Sequence, residues 1–249
     1  MSLLRLDNVS RRFGSLVALD DVSFEVDDDE LYAVIGPNGA GKTTLFNLIS
    51  GFFPATAGDI WFDGKPIGGV GAADRVSLGL VRTFQITEVF PELSVFENIR
   101  IGVEAEARCS ARPLPSPALT RRIRNRVHEL LETTGLTARA DRTVSELAHG
   151  DQRVVEVAMA LSRRPKLLLL DEPTAGMGDE ETENMVELIR NLHARHQLSI
   201  LFIEHDMELV FGIAQKITVL NYGKVLATGP PEEVAADPRV QAAYLGGPA

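Results

Sequence analysis

Short apolar segments alternate with amphipathic segments along most of this 249-residue chain. Runs of consecutive apolar residues predict buried strands, whereas apolar residues spaced three or four positions apart predict helices. Strands are predicted at 3–9, 22–26, 30–35, 167–170, 199–203 and 217–220. Helices are predicted at 42–49, 94–103, 121–134, 150–164 and 179–195. This alternation indicates an α/β fold whose largely parallel sheet is covered on both faces.

A hairpin signal lies about a quarter of the way along the chain. The apolar segment 60–62 is followed by Asp63 and Gly64, and an Asp-Gly pair after an apolar strand is typical of a tight β-hairpin turn. A hairpin joins antiparallel strands, so the sequence predicts an antiparallel β part and a mixed sheet around the parallel core.

The middle of the chain has a helical pattern. Ser94 and Glu97 have the spacing of a capping box at the start of a helix. Three prolines, at positions 113, 115 and 117, predict a loop before the next amphipathic segment. We therefore expect a single domain over 1–249, with a helical subdomain inserted at 91–162.

The composition is that of a globular protein, with 45% hydrophobic and 24% charged residues. This balance excludes a disordered chain and a polytopic membrane protein. No stretch approaches the roughly 18 consecutive apolar residues of a membrane span. The one cysteine, Cys109, cannot form a disulfide within the chain, which fits a reducing cytosolic setting.

The charge balance argues against nucleic acid as a partner. The formal net charge is −10, whereas a nucleic-acid-binding domain usually carries a basic surface. A cluster of arginines at 121, 122, 124 and 126 is the one basic helical segment, and we interpret it as a solvated face.

A glycine-rich loop lies between a predicted buried strand and a predicted helix. Residues 36–43 read Gly-Pro-Asn-Gly-Ala-Gly-Lys-Thr and match the pattern G-x-x-x-x-G-K-[ST]. Glycines let successive backbone N–H groups point into one concavity, and the helix adds its positive N-terminal end. Lys42 can reach the β- and γ-phosphates, and the Thr43 hydroxyl can ligate Mg²⁺. The predicted phosphate-binding residues are Gly36, Asn38, Gly39, Ala40, Gly41, Lys42, Thr43 and Thr44.

Two carboxylates follow the four-leucine segment 167–170. The carboxyl end of a buried parallel strand is where α/β sheets place their ligand sites. Asp171 is predicted to support hydrated Mg²⁺, as the second acidic group of P-loop enzymes does. Glu172 is predicted to orient an attacking water or to accept its proton.

In their order along the chain, these motifs resemble the ATP-binding subunit of ABC transporters, and the resemblance covers essentially the whole chain. It implies a P-loop NTPase core of the ABC type. It also implies that Phe13 stacks on adenine and that Gln85 contacts Mg²⁺ and senses a membrane partner. His205 follows the apolar segment 199–203, and the resemblance implies that it contacts the γ-phosphate.

The family signature, usually LSGGQ, reads Leu-Ala-His-Gly-Asp at 147–151. In the family, this segment of one subunit closes over the γ-phosphate that another subunit holds, so Ala148 and Gly150 are implied nucleotide contacts. Ala148 lacks the usual serine hydroxyl, which removes one hydrogen bond of about 0.5–1.5 kcal/mol. Asp151 is unfavourable near an anion unless it faces away. Gly178 stands where the family usually has an aspartate.

Several of these departures resemble importers of branched-chain amino acids. They are Ala148, the loop 175–177, the segment 203–207 and the ending 244–246. The resemblance implies an ATP hydrolase that uses ATP and Mg²⁺ and is peripheral to the cytoplasmic face of the inner membrane. It implies integral membrane permease subunits and a second ATPase subunit, either a copy or a paralogue, as partners. A periplasmic-type substrate-binding protein would be an indirect partner.

Three alternatives stay open at this point. Urea and short-chain amide importers share much of the same pattern. ABC ATPases also act outside transport, for example in soluble assembly complexes. Ala148 and Gly178 are compatible with an inactive subunit of a heterodimer, although the presence of Glu172 and His205 argues against that interpretation.

Overall fold

The computed structural model describes residues 2–83, 89–107 and 116–245. The chain divides into two compact units, each assembled from segments that are distant in sequence. The first unit combines residues 1–82, 166–173 and 193–249, and the second combines 83–165 and 174–192. Within the described ranges, no helix has both the length and the apolar character needed to cross a membrane.

Strands and helices follow one another along the chain in the following order. The strands are β1 (Ser2–Phe13), β2 (Leu16–Asp27), β3 (Leu31–Ile35), β4 (Ala57–Phe62), β5 (Lys65–Pro66), β6 (Leu80–Arg82), β7 (Leu167–Asp171), β8 (Ser199–Ile203), β9 (Lys216–Asn221) and β10 (Lys224–Gly229). The helices are α1 (Lys42–Ile49), α2 (Ala72–Leu78), α3 (Val95–Glu106), α4 (Pro117–Thr133), α5 (His149–Leu161), α6 (Asp179–His196), α7 (Met207–Ile213), α8 (Pro231–Ala236) and α9 (Pro238–Leu245).

A six-stranded mixed sheet forms the centre of the first unit. Its strand order is β10-β9-β3-β8-β7-β6, in which all neighbours are parallel except the antiparallel pair β9 and β10. Every residue of β3, β7 and β8 is buried, as expected for central strands that helices or another sheet cover on both faces. The predicted α/β class and mixed sheet are confirmed.

A second sheet in the first unit is antiparallel and has the order β2-β1-β4-β5. Asp63 and Gly64 both have positive φ values, +50° and +70°, and form the turn between β4 and β5. The predicted hairpin is therefore confirmed. Apolar residues of β1, β2 and β4 belong to the same buried cluster as those of α1, so this sheet helps to fix the helix that follows the glycine-rich loop.

The end of α1 is anchored by a buried arginine. The guanidinium of Arg75 donates to the carbonyl oxygens of Leu48 and Ile49 at 2.6 and 2.7 Å, and to those of Ile67 and Val70 at 2.5 and 2.8 Å. Carbonyls in the last turn of a helix have no partner within the helix, so Arg75 satisfies two of them. Burial lowers the pKa of Arg75 to about 10.

The described strands all lie in the first unit, and helices α3, α4 and α5 lie in the second, which contains the segment 91–162. The predicted capping box is present: the Glu97 N–H donates to Ser94 Oγ at 3.2 Å, and the Ser94 N–H donates to Glu97 Oε2 at 2.9 Å. Hydrogen bonds from Ser94 lower the pKa of Glu97. One face of α4 is buried through Ile123, Val127, Leu130 and Leu131.

The loop prediction is wrong at Pro117, because this residue begins α4. Proline suits the first position of a helix, where its fixed φ is already helical and its missing N–H would have no partner. Ser116 caps the helix through a bond from the Leu119 N–H to its hydroxyl at 3.3 Å. Pro113, Pro115 and Cys109 lie outside the described residues.

Candidate active site

The glycine-rich loop begins directly after the buried strand β3 and ends where α1 begins. Gly41 precedes α1 with φ +103°, a conformation that favours glycine. A Cβ atom at Gly36 would lie 2.2 Å from the backbone oxygen of Leu220 in β9. Only glycine allows so close an approach between the loop and its neighbouring strand. The strand–loop–helix context that the phosphate-binding motif requires is therefore present.

Backbone hydrogen bonds hold this loop in place. The N–H of Gly223, in the turn between β9 and β10, donates to the oxygen of Ala40 at 3.0 Å. The oxygen of Gly223 in turn accepts from the N–H of Asp20 in β2 at 2.8 Å. Both sheets of the first unit thus position the loop.

Lys42 has a side chain that is only 6% exposed. Its Nζ atom donates to the loop's own carbonyl oxygens, at 2.6 Å to Gly36 and 3.2 Å to Pro37. Burial lowers the pKa of Lys42, and the charges of Glu172 and Asp171 oppose that shift. The amino group is held inside the loop, and the two carboxylates act on it electrostatically.

Asp171 ends β7 and is 3% exposed. Arg82 at the end of β6 donates to it, with 2.5 Å between Nη2 and Oδ2, and the Arg82 side chain is itself 6% exposed. Nη1 of Arg82 also donates to Asn47 Oδ1 at 2.8 Å and to Ser50 Oγ at 3.1 Å. Because Asn47 lies on α1 and Ser50 directly follows it, Arg82 connects the carboxyl end of β7 to the helix of the phosphate-binding loop.

Glu172 and His205 are in direct contact. His205 Nε2 lies 2.5 Å from Glu172 Oε1. Glu172 has φ +50°, and its N–H donates to the oxygen of Ile203 in β8 at 3.0 Å. A positive φ is uncommon for a residue other than glycine and recurs at functional sites. An imidazole and a carboxylate joined in this way can orient a water molecule and accept its proton.

The remaining predicted phosphate contacts lie on the loop or in the first turn of α1. Asn38, Gly39 and Thr43 are exposed, Thr44 is half-buried, and Ala40 is buried. Gln85 lies outside the described residues. The hydroxyl of Thr43 is thus accessible at the start of the helix, where a phosphate-bound cation would need it.

Phe13 ends β1 with 39% of its surface exposed. Its ring packs edge-on against Phe53 with the centroids 5.7 Å apart. The guanidinium carbon of Arg11 lies 4.5 Å from the centre of the Phe13 ring. Phe13 is thus a partly exposed aromatic ring in a cluster with a cation, and stacking on adenine stays a prediction.

The signature segment lies in the second unit, at the start of α5. Ala148 is the residue that precedes this helix, and its side chain supplies no capping hydrogen bond. The Gly150 N–H donates to Glu181 Oε1 at 3.1 Å, and the Gly178 N–H donates to Glu181 Oε2 at 3.3 Å. Asp151 forms an ion pair with Arg139, with 2.7 Å between Oδ2 and Nε, so its charge is compensated locally.

Three residues near these sites were not predicted from the sequence. Arg82 and Glu181 make the contacts described above, and nothing in the spacing of charges indicates their partners. Partial burial raises the pKa of the third, Tyr244 in α9, to about 12, while the Gly36 backbone N–H opposes that shift. The Tyr244 hydroxyl therefore lies close to the start of the phosphate-binding loop, which its place near the end of the sequence does not reveal.

Comparison with known proteins identifies the family of this arrangement. A sequence model of the family described as ABC transporter matches residues 19–175, which include the glycine-rich loop and the two carboxylates. The chain belongs to the ABC transporter family. A second family model, described as branched-chain amino acid ATP-binding cassette transporter, matches residues 224–249. ABC ATPases hydrolyse ATP to power transport, so the resemblance to an ATP-binding, ATP-hydrolysing subunit is confirmed.

Relatives and solved structures agree with this assignment. The chain is 41% identical over 249 residues to the high-affinity branched-chain amino acid transport ATP-binding protein LivG of Salmonella typhimurium, covering 98% of each chain. It is 39% identical, with the same coverage, to BraF of Pseudomonas aeruginosa, a protein of the same description. The crystal structure of the ADP conformation of MJ1267, an ATP-binding cassette of an ABC transporter, superposes with a TM-score of 0.85, 32% identity and 99% coverage of each chain.

Proposed function

We propose that this ABC ATPase powers the import of branched-chain amino acids. The observation that carries the proposal is the site in the first unit. There the charges of Asp171 and Glu172 act on Lys42 of the phosphate-binding loop, and Glu172 is in contact with His205. Full-length similarity to LivG and BraF and the match of the C-terminal family model support the choice of substrate.

The chemistry follows from the residues of this site. Lys42 and the backbone N–H groups of the loop hold the ATP phosphates and compensate their charge. Glu172 accepts a proton from the attacking water, whose oxygen bonds to the γ-phosphorus as the bond to the β-γ bridging oxygen breaks, leaving ADP and inorganic phosphate. His205 contacts the γ-phosphate and keeps the Glu172 carboxylate oriented through their hydrogen bond.

The residues present also fit Mg²⁺. In nucleotide sites this ion is bound by one or two carboxylates and the substrate phosphates, not by an all-protein cage. Consistently, the described residues contain no cluster of three or more His, Cys, Asp or Glu that could hold a metal alone. Asp171 and the Thr43 hydroxyl supply the hard oxygen donors, with Gln85 as a further predicted ligand. When bound, the ion would neutralise charge on the β- and γ-phosphates.

The proposed working assembly is a pair of ATPase subunits on integral membrane permease subunits, peripheral to the cytoplasmic face of the inner membrane. The second ATPase is a copy of this chain or a paralogue, and a periplasmic-type binding protein delivers the substrate. Ala148 and Gly150 of one subunit then close over the phosphates held by the other.

Uptake in cells tests this proposal. A strain lacking the gene should lose accumulation of labelled leucine, and the wild-type gene should restore it. Lys42→Ala should fail to restore uptake, whereas Lys65→Ala, which removes an exposed lysine, should succeed. Restored uptake of labelled urea or amides without leucine would contradict the substrate. Purification of the tagged chain with soluble assembly proteins and no membrane protein would contradict the transport function.

A further inference from the structure

Arg82 is the cation that contacts Asp171 within the first unit. Both side chains are almost completely buried, with 6% and 3% of their surfaces exposed, and 2.5 Å separates Nη2 from Oδ2. We infer that Arg82 is a positioning residue that fixes the Asp171 carboxylate relative to α1 and thereby sets the geometry of the metal site. This inference rests on the proposed function, because it assigns Asp171 to Mg²⁺.

The two carboxylate oxygens of Asp171 have different surroundings. Oδ2 accepts the hydrogen bond from Arg82. Over residues 2–83, 89–107 and 116–245, Oδ1 accepts no side-chain hydrogen bond, so it is available to a hydrated cation. A carboxylate that is held through one oxygen presents the other in a defined direction, as supporting hydrogen bonds do for metal ligands in general.

Arg82 also contacts α1, the helix that carries Thr43. Arg82 donates to Asn47, which lies four residues after Thr43 and hence on the same face of the helix. Thr43 is another predicted ligand, so a single guanidinium contacts the carboxylate ligand on one side and the helix that carries the hydroxyl ligand on the other. A guanidinium suits this task because its planar fork of donors can serve several acceptors at once.

Arg75 provides a matched control in the same unit. It is also a buried arginine that donates to α1, through the carbonyl oxygens of Leu48 and Ile49. Its other described bonds go to backbone oxygens and not to a carboxylate. A purely structural role of buried arginines around α1 would therefore affect the Arg75 and Arg82 variants alike, whereas the positioning role is specific to Arg82.

The test measures metal affinity without turnover. Full-length wild type, Arg82→Gln, Asn47→Ala and Arg75→Gln are loaded with ADP, and Mn²⁺ is titrated while the free ion is followed by electron paramagnetic resonance. Arg82→Gln should raise the dissociation constant for Mn²⁺ by about 10–100-fold, the usual effect of removing a residue that supports a metal ligand. Asn47→Ala should raise it by a smaller factor, and Arg75→Gln should leave it within about 3-fold of wild type. The Mg²⁺ concentration for half-maximal ATPase activity should shift in the same order.

Nucleotide affinity in EDTA provides the second readout. Arg82→Gln should bind ATP within about 3-fold of wild type there, because Lys42 and the loop hold the phosphates independently of the metal. An unchanged Mn²⁺ affinity in folded Arg82→Gln overturns the inference, and so does an equal shift in Arg75→Gln. If Arg82→Gln does not fold, Mn²⁺ affinity is measured in Arg82→Lys and Asn47→Ala instead. Wild-type Mn²⁺ affinity in both of these variants overturns the inference. Wild-type protein that fails to bind ATP would instead contradict the proposed function.

Discussion

Replacing Glu172 by Gln removes the carboxylate that contacts His205 and preserves the size of the side chain. In the wild type, Glu172 Oε1 lies 2.5 Å from His205 Nε2, and the Glu172 N–H donates to the backbone oxygen of Ile203 in β8. An amide cannot accept the proton of the attacking water, so turnover should fall. ATP binding should persist, because Lys42 and the loop hold the phosphates.

Two contributions to the loss have different magnitudes. His205 is 45% exposed, so its attraction to Glu172 is screened and is worth at most about 1 kcal/mol, or roughly 5-fold in rate. Loss of a general base costs about 10²–10⁴-fold, at least about 2.7 kcal/mol. We therefore expect Glu172→Gln to lower turnover at least about 100-fold, well beyond what the weakened attraction to His205 explains.

The assay is phosphate release by the complex with its permease, with ATP affinity measured separately by calorimetry in EDTA. Glu208→Gln is the matched control, because it removes an exposed carboxylate from the first turn of α7, three residues after His205. The control should keep wild-type turnover. A Glu172→Gln complex that hydrolyses ATP within about 5-fold of wild type would show that Glu172 is not the base.

Lys42→Ala should weaken ATP binding at least about 100-fold, because the phosphates lose a buried fixed cation; unchanged equilibrium binding of labelled ATP would refute this. Glu181→Gln should strengthen ATP-dependent dimerisation several-fold. The Gly150 N–H now donates to the Glu181 carboxylate at 3.1 Å, and a neutral amide would hold it less tightly. The dimer fraction is measured by light scattering on the Glu172→Gln background in EDTA, and a lower fraction would count against this prediction. Gly150→Asp should abolish that dimer through repulsion of the phosphates, so its persistence would remove the signature from the mechanism. Burial raises the pKa of Tyr32, so the stability gained from its protonated phenol is complete below about pH 10 and declines above it, by roughly 1.4 kcal/mol at about pH 11. The free energy of unfolding in urea should therefore fall less over this range for Tyr32→Phe than for wild type. Parallel pH profiles of the two proteins would show that the Tyr32 phenol is not the group responsible.

The central strands could be predicted because each is a continuous apolar run that ends in a motif. The outer strands β1 and β2 extend beyond the predicted segments 3–9 and 22–26. The end of β1 carries the polar residues Arg11 and Arg12, and the start of β2 has two successive exposed apolar residues, Leu16 and Val17, which break the alternation expected of a half-buried strand. Helices α2, α7 and α8 have seven, seven and six residues, too few for a helical period to be evident in the sequence. Pro117 shows a further limit, because proline is favourable both in loops and at the first position of a helix.

The parts of the site that consist of consecutive residues could be predicted. The loop 36–43 and the pair at 171 and 172 need only their own spacing and the strand before them. The contact between Glu172 and His205 follows from two parallel strands that end at the same edge of the sheet. By contrast, Arg82 and Asp171 are 89 residues apart, and only the pairing of β6 with β7 brings them together. Glu181 and Gly150 are similarly joined by tertiary structure alone.

The most direct test of ATP-driven import is transport by the purified complex. Permease subunits that co-purify with the tagged chain are reconstituted in proteoliposomes with the partner ATPase and the binding protein, and ATP hydrolysis is measured together with movement of labelled leucine. Leucine-loaded binding protein should stimulate hydrolysis, and leucine should accumulate only when ATP is present. The Lys42→Ala complex should show neither activity. Leucine transport that continues at the wild-type rate in the Lys42→Ala complex, or hydrolysis that leucine never stimulates, would contradict ATP-driven leucine import.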